Sequence, residues 1–208
     1  MVCERKLIIM AKSPVAGRVK TRLSRDIGSA AATNFYRHTC QNVIARLSCA
    51  NLWRTILSIS PDTEIENRFW PQNAPRTRQG QGDLGERMRR AMTIEPSGPV
   101  VLIGTDIPGV QQHHIANAFH TLKQQDYVFG PTPDGGFWLV GVSKQRYLPR
   151  TFKDVRWSTE FTLNDTIDSL NREYSGLGIG FADILNDVDD GQDFKAAQAI
   201  IGRRILSS

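Results

Sequence analysis

Apolar and polar positions along this chain follow two rhythms. Short apolar runs stop at glycine, proline or small polar residues, and between them lie longer stretches with apolar residues every three or four positions. The first run, Lys6 to Met10, predicts a buried strand entering a loop that holds Pro14 and Gly17. Ser29 to Leu47 predicts a helix of several turns, with Ala30, Ala31, Phe35, Val43, Ile44 and Leu47 as its apolar residues. Thr55 to Ile59 reads as a strand ended by Ser60-Pro61-Asp62, and Arg76 to Gly80 as a short third strand. Leu84, Met88 and Met92 recur on one face of a helix over Asp83 to Met92.

The second half repeats the alternation. Pro99 to Ile103 is an apolar run that stops at Gly104-Thr105-Asp106, and His113 to Leu122 then reads as a helix. Tyr127 to Gly130 and Phe137 to Val142 read as strands around the turn Pro133-Asp134-Gly135-Gly136. Phe161 to Tyr174 and Phe194 to Leu206 read as helices. Strands alternating with helices predict a mostly parallel sheet covered on both faces, whose ligands bind beyond the carboxyl ends of the strands. Here those ends are the loops after Met10, Ile103 and Gly130. With no internal repeat or linker, one domain spanning 1–208 is expected.

Composition narrows the function. At 208 residues and 40% hydrophobic content the chain is able to bury one substantial core. A net charge of +5 suits a phosphate-bearing small molecule. Without a basic tail or zinc-finger spacing, no nucleic-acid partner is expected. Cys3, Cys40 and Cys49 fit no CxxC pattern, which suggests a reduced, cytoplasmic setting. The apolar run Leu7 to Ala11 is far below the roughly 20 residues of a membrane span, so a soluble, unexported chain is expected.

Five segments carry candidate chemistry. Lys12, Arg18, Lys20 and Arg22 sit in one loop after the first strand with no acid among them. They read as a solvated basic loop or as a polyphosphate site to which Gly17 admits backbone N–H groups. The order of residues is not that of a Walker A loop. In Gln79-Gly80-Gln81-Gly82-Asp83 the glycines would let the backbone pack on a flat ligand, while Asp83 would serve equally as a helix cap. Asp106, just past a buried strand, reads as a metal ligand or a turn cap. Asp134 with Gly135 and Gly136, followed by Phe137-Trp138, is more than a tight turn requires and suggests substrate contact. Asn186-Asp187-Val188-Asp189-Asp190 reads as a solvated acidic loop or, equally, as completing a cation site with Asp106, and extended alternation puts Asp187 and Asp189 on one side. Such hard oxygen donors favour Mg²⁺ or Mn²⁺. Two carboxylates there without a cation would repel each other.

The remaining reactive residue types read as structural. His38, His113, His114 and His120 form no metal motif and read as surface or capping residues, with the adjacent His113 and His114 facing different directions. Trp53, Trp70 and Trp157 read as packing residues, and no serine or cysteine has a nucleophile's context.

Together the segments MAKSPVAGRVKTRLS, QGQGDLGERM, IGTDIP, GPTPDGGFWLVG, VRWST and NDVDD resemble a bacterial transferase family of glycosyltransferase A fold, called cofC-like or radical-SAM/selenodomain-associated. That family is similar in turn to phospholactate guanylyltransferases and other nucleotidyltransferases of the nucleotide-diphospho-sugar transferase superfamily. The resemblance implies a Rossmann-like three-layer α/β/α sandwich. It places Lys12, Gly17, Arg18, Lys20 and Arg22 near phosphates, and Gln79, Gly82 and Asp83 near the nucleoside. Asp106 and Asp189 become the ligands of Mg²⁺ or Mn²⁺, and Asp134, Gly135 and Gly136 face the second substrate. Thr105-Asp106-Ile107 supplies one acid where many glycosyltransferases have an Asp-x-Asp pair.

Two mechanisms follow from this reading. In nucleotidyl transfer, a phosphorylated small molecule attacks a nucleoside triphosphate; Lys20 and Asp106 assist and pyrophosphate leaves. In glycosyl transfer, a nucleotide sugar is the donor and Asp134 deprotonates the acceptor. The four cations of the first loop favour the former. A non-catalytic nucleotide-binding module is the third reading, against which the acids at both Asp106 and Asp189 count.

Overall fold

A computed structural model describes residues 4–48, 51–93, 98–143, 152 and 154–197. Seven strands form one sheet in the order β3-β2-β1-β4-β6-β5-β7. They are β1 (Lys6–Lys12), β2 (Arg54–Ser60), β3 (Arg76–Arg78), β4 (Val100–Ile103), β5 (Tyr127–Pro131), β6 (Phe137–Val142) and β7 (Ile179–Phe181). The helices are α1 (Leu23–Ile27), α2 (Ser29–Ser48), α3 (Leu84–Thr93), α4 (Gln112–Thr121) and α5 (Thr162–Glu173), and residues 191–197 are also helical. The helix expected over Phe194 to Leu206 thus begins three residues earlier, and its part beyond 197 lies outside the described residues, as do Cys3 and Cys49.

The sheet is mostly parallel: β1 pairs in parallel with β2 and β4, β2 with β3, and β5 with β7. Only β6 runs against its neighbours β4 and β5. The carboxyl ends of β1, β2, β4, β5 and β7 therefore meet at one edge. Because β1 lies between β2 and β4, the chain changes direction along the sheet there, which opens a crevice at their carboxyl ends.

Strand alternation builds two cores. Leu7, Ile9, Leu57, Ile59, Val101 and Ile103 face α2 and α4, where they meet Val43, Ile44, Leu47, Ile115 and Phe119. Ile8, Ile56, Val100, Leu102 and Val140 face the other way, onto Met88, Ala91 and Met92 of α3 and Leu170 of α5. The result is the expected three-layer α/β/α sandwich. Each fully buried aliphatic side chain contributes about 1.5–3 kcal/mol, so the sheet stays anchored while its edge loops carry polar groups.

Several local expectations shift. The buried stripe of α2 runs through Ala32, Tyr36, Cys40, Val43, Ile44 and Leu47, whereas Ala30 and Ala31 face solvent. Small alanines mark a helix face poorly, and Gly28 at φ +85° sets the phase at which α2 begins. Helix α1 and strand β7 were not anticipated, being five and three residues long. Trp53 and Trp70 are packed into the core. His114 is buried at the start of α4, and its Nδ1 accepts the backbone N–H of Gln111 at 2.9 Å in a reciprocal cap. Its ring centroid lies 4.0 Å from that of His113, although His113 faces solvent and His114 is buried. The cap draws the His114 ring back along the helix.

Candidate functional site

The loop after β1 carries the basic residues over the carboxyl edge of the sheet. Lys12, Arg18 and Arg22 are exposed there, and Arg22 Nη1 stands 3.8 Å from Asp189 Oδ2. Lys20 behaves differently. Its backbone is left-handed at φ +47°, and its carbonyl accepts the N–H of Ser24 at 2.9 Å and the Ser24 hydroxyl at 2.8 Å. That anchoring turns the side chain inward until only 6% of it is exposed. Its Nζ reaches Asp106 Oδ1 at 2.7 Å and Asp189 Oδ1 at 2.9 Å. Burial alone would pull the ammonium's pKa down, but the two carboxylates outweigh it and hold it above its usual value.

Asp106 and Asp189 meet through backbone contacts. The N–H of Val188 donates to the Asp106 carbonyl at 3.3 Å, and the Val188 side chain is buried. With Val188 turned into the core, Asp187 and Asp189 line the cavity, as extended alternation requires. The Asp187 carboxyl is pushed up to about 6, by burial first and then by the Asp189 and Asp134 carboxylates. The Lys20 ammonium offsets only part of that.

Tyr36 of α2 joins the ends of β1 and β4 behind this cluster. Its hydroxyl accepts the Lys12 N–H at 2.9 Å, lies 3.0 Å from the Lys12 carbonyl and 3.2 Å from Thr105 Oγ1. Cys40 lies beside it, its thiol pushed up to about 12 by burial and the Asp106 charge. Such a thiol stays protonated and unreactive. Across the cavity, the β5–β6 turn packs on the start of α5: the Leu163 N–H donates to the Gly135 carbonyl at 3.0 Å. Asp134 Oδ1 accepts from Thr132 Oγ1 at 2.5 Å and from the Gly136 N–H at 3.1 Å.

These parts enclose a cavity of about 580 Å³, a size ordinary for a small-molecule site. Lys12, Arg18, Lys20, Arg22, Gln79, Asp106, Asp134, Gly136 and Asp189 from the sequence reading all line it. Gly17, Gly82, Asp83 and Gly135 are not among its lining residues. Asp83 instead forms a capping box on α3, with the Glu86 N–H on its Oδ1 at 2.8 Å and its own N–H on Glu86 Oε2 at 3.1 Å. Of the two readings the sequence offered for Asp83, the geometry shows the helix cap: its carboxylate accepts from an orphan donor of the helix start. Gln79 lines the cavity yet is 4% exposed, and its amide donates to the carbonyls of Ser58 at 2.8 Å and Ala11 at 3.3 Å.

Several lining residues escaped the sequence reading. Met10, Leu102 and Val140 from the sheet, with Leu84 and Met88 from α3, form an apolar wall, and Thr132, Ser158, Thr159 and Thr162 add hydroxyls. The residues of the wall had been assigned to the core pattern, and nothing in a single sequence separates a core methionine from a cavity methionine.

Comparison with known proteins places this architecture. Residues 43–159 match the model of DUF2064, described as an uncharacterized protein conserved in bacteria. The chain belongs to that family. No curated protein matches it. Among solved structures, this DUF2064 chain is similar to the candidate nucleotide-diphospho-sugar transferase of Desulfovibrio desulfuricans G20, with 28% identity and a TM-score of 0.82 over 93% of this chain and 85% of that one. It also shares its fold with the 4-diphosphocytidyl-2C-methyl-D-erythritol synthase of Anaerococcus prevotii DSM 20548 (12% identity, TM-score 0.64, 96% of each chain covered). A third likeness is to a nucleotidyl transferase from Methanothermobacter, at 11% identity and TM-score 0.65, covering 97% of this chain and 99% of that one. The fold of this DUF2064 member is thus that of the nucleotide-diphospho-sugar transferases.

A divalent cation is tested by the donor set. Among the described residues no group of three or more His, Cys, Asp or Glu side chains is arranged to hold a metal ion. Two carboxylates do converge on one point, that of the Lys20 ammonium. Mg²⁺ is commonly held by one or two carboxylates, with phosphate oxygens and water completing its shell. Asp106 and Asp189 fit that kind of site and do not fit a closed, all-protein one. Among the described residues, no helix is long and apolar enough to cross a membrane.

Proposed function

We propose that this chain is a nucleotide-using transferase, acting by nucleotidyl transfer from a nucleoside triphosphate to a phosphorylated small molecule. One observation carries the reading. Cations from a single loop, residues 12–22, and carboxylates from three separate loops, Asp106, Asp134 and Asp189, line one cavity at the carboxyl edge of a nucleotide-diphospho-sugar transferase fold. Fold likeness alone would not reach function; the charged cavity is the added evidence.

In this reading Lys12, Arg18 and Arg22 hold the triphosphate by charge-assisted hydrogen bonds. Lys20 has four flexible carbons, a fixed backbone and an ammonium within the cavity wall, which suits it to follow charge as it moves from the α-phosphate to the leaving pyrophosphate. Asp106 and Asp189 would hold Mg²⁺ or Mn²⁺, which when bound supplies charge neutralisation at phosphate oxygens. Gln79 would set the depth to which a base enters, since its side chain closes the cavity between β1 and β2. Thr132, Asp134 and Gly136 would orient the acceptor. No protein nucleophile is required, in keeping with a buried thiol held protonated.

Glycosyl transfer from a nucleotide sugar is the second reading. It is favoured by Asp134, whose Oδ1 is held by the turn while the carboxylate remains exposed in the cavity. A carboxylate so fixed is a candidate base for an acceptor hydroxyl.

Thermal-shift titration with nucleoside triphosphates, nucleoside diphosphate sugars and Mg²⁺ tests the common part, because a bound ligand raises the melting point by mass action. Pyrophosphate release from a triphosphate with a phosphorylated acceptor supports the first mechanism. Release of a nucleoside diphosphate from a nucleotide sugar replaces it with the second. A panel with no shift at all overturns both.

A further inference from the structure

The contact between Lys20 and the two acids has a consequence for the order of binding. One oxygen of each carboxylate, Asp106 Oδ1 and Asp189 Oδ1, is already in contact with one ammonium, at 2.7 and 2.9 Å, in a side chain only 6% exposed. A Mg²⁺ ion at about 2.0–2.2 Å from the same oxygens would stand almost where Lys20 Nζ stands. The ion and the ammonium exclude one another by size, and at that separation their like charges repel strongly. Either is able to neutralise the acid pair; both together are not accommodated.

We infer that Lys20 closes the Asp106–Asp189 pair to divalent cations in the free protein, and that a nucleotide phosphate opens it by drawing the ammonium away. This rests on the transferase reading above. The movement needed is small. The Lys20 backbone stays anchored through Ser24, and only the flexible side chain swings across a cavity that Arg18 and Arg22 also line. A phosphate oxygen offers the ammonium a replacement anion, so it exchanges partners without losing one. The acids, released together, then face a metal whose remaining positions are filled by that same phosphate and by water. Metal without nucleotide meets a closed pair, whereas metal with nucleotide meets an open one.

The geometry of the acids supports exchange in place of rearrangement. Asp189 is held through its backbone N–H, which donates to Asp193 Oδ2 at 3.0 Å, and Asp106 through its carbonyl, which accepts from Val188. Neither contact uses the oxygens that face Lys20. The donors are therefore positioned before the cation arrives, and departure of Lys20 is the one change required.

Binding of Mn²⁺ alone, read by loss of the free-ion electron paramagnetic resonance signal, tests the inference without any turnover. The wild-type protein without nucleotide is expected to leave the Mn²⁺ signal almost unchanged. Lys20→Met, which keeps the length and removes the charge, is expected to bind Mn²⁺ about tenfold or more tightly than wild type. Lys20→Arg should exclude the ion as wild type does, and Lys20→Met with Asp106→Asn should lose the gained site. Strong Mn²⁺ binding by the wild-type protein alone overturns the inference, whatever the fate of the variants. Silence of a folded Lys20→Met overturns it as well, since no cation site then lies beneath the lysine. Should Lys20→Met fail to fold, the wild-type and Lys20→Arg measurements decide, and tight binding by either sinks the gate. Nucleotide binding is followed separately by thermal shift, so failure of the gate is distinguished from failure of the transferase reading.

Discussion

Lys20 Nζ and Asp189 Oδ1 lie 2.9 Å apart although 169 positions separate them in the chain. The same ammonium touches Asp106, so one cation compensates acids from two distant loops. This changes how the acids behave. Read from the sequence alone, they should repel one another in the absence of metal, and removing one should relieve the protein. In the folded chain the pair is already neutralised in part, and each acid is a partner that Lys20 needs.

Replacing Asp106 or Asp189 by Asn is therefore expected to lower stability. Both carboxylates are nearly half exposed, so solvent screening holds the loss to about 1 kcal/mol each. The double variant should lose more than the sum of the two, because the lysine is then buried without either of the carboxylates it contacts. Urea unfolding of the four proteins checks this. Unchanged or raised stability in the single variants would show that the ion pair contributes nothing.

Lys20→Ala should weaken nucleotide binding by about 1.5–3 kcal/mol, the usual worth of a charge-assisted contact. Lys195→Ala, at an exposed position on the helical segment 191–197, should leave it unchanged. Calorimetric titration of both variants with the best-binding nucleotide gives the comparison, and equal affinities would remove Lys20 from the site.

Asp83→Ala separates a cap from a ligand contact. The capping box predicts a stability loss of about 1 kcal/mol with nucleotide affinity unchanged. An affinity loss without a stability loss would return Asp83 to the nucleoside.

Gly135→Ala should destabilise by about 1–3 kcal/mol. The residue is at φ +83°, and an added Cβ would overlap the Glu160 carbonyl oxygen. The strain falls where the β5–β6 turn meets α5, so the binding of an acceptor should suffer more than that of the nucleotide. Denaturation midpoints paired with ligand titrations report the two effects separately.

His114 gives a pH dependence of known sign. Burial lowers its pKa, His113 lowers it further, and Asp183 only partly compensates. The neutral ring is the form whose Nδ1 accepts the Gln111 N–H. The unfolded chain therefore binds a proton more readily, so this contribution to stability is complete above the unfolded value of about 6.5. It is lost as the pH falls through that value toward the lower folded one. Stability measured between about pH 7 and pH 5 should fall less in His114→Gln than in wild type, since glutamine keeps the cap without titrating. Parallel curves would show that His114 binds its proton equally well in the folded and unfolded chains.

Much of the fold is visible in the residue pattern because alternation and helical periodicity are local. The runs at Lys6, Thr55, Val100 and Phe137 each carry their own record of burial, and each became a strand. Strand β7 had no such record: two of its three residues are Gly180 and the exposed Phe181, and it exists because β5 offers an open edge. The antiparallel course of β6 against β5 follows from the short turn between them, whereas its pairing with β4 depends on strand order, which the local pattern does not carry.

The sequence by itself determined most of the elements, though not α1 or β7, the position of candidate residues at strand ends, and the choice of oxygen donors and cations over nucleophiles. These follow from side-chain chemistry and from spacings of a few residues. Only the tertiary structure decided which candidates share a cavity, that Asp83 is spent on a helix start, and that Tyr36 joins the ends of β1 and β4. It alone decided that Lys20 turns inward to two acids while Lys12, Arg18 and Arg22 stay exposed. The physical reason is range. Propensity and periodicity act over neighbouring residues, whereas the pairing of Lys20 with Asp106 and Asp189 follows from strand order, which juxtaposes loops far apart in the chain.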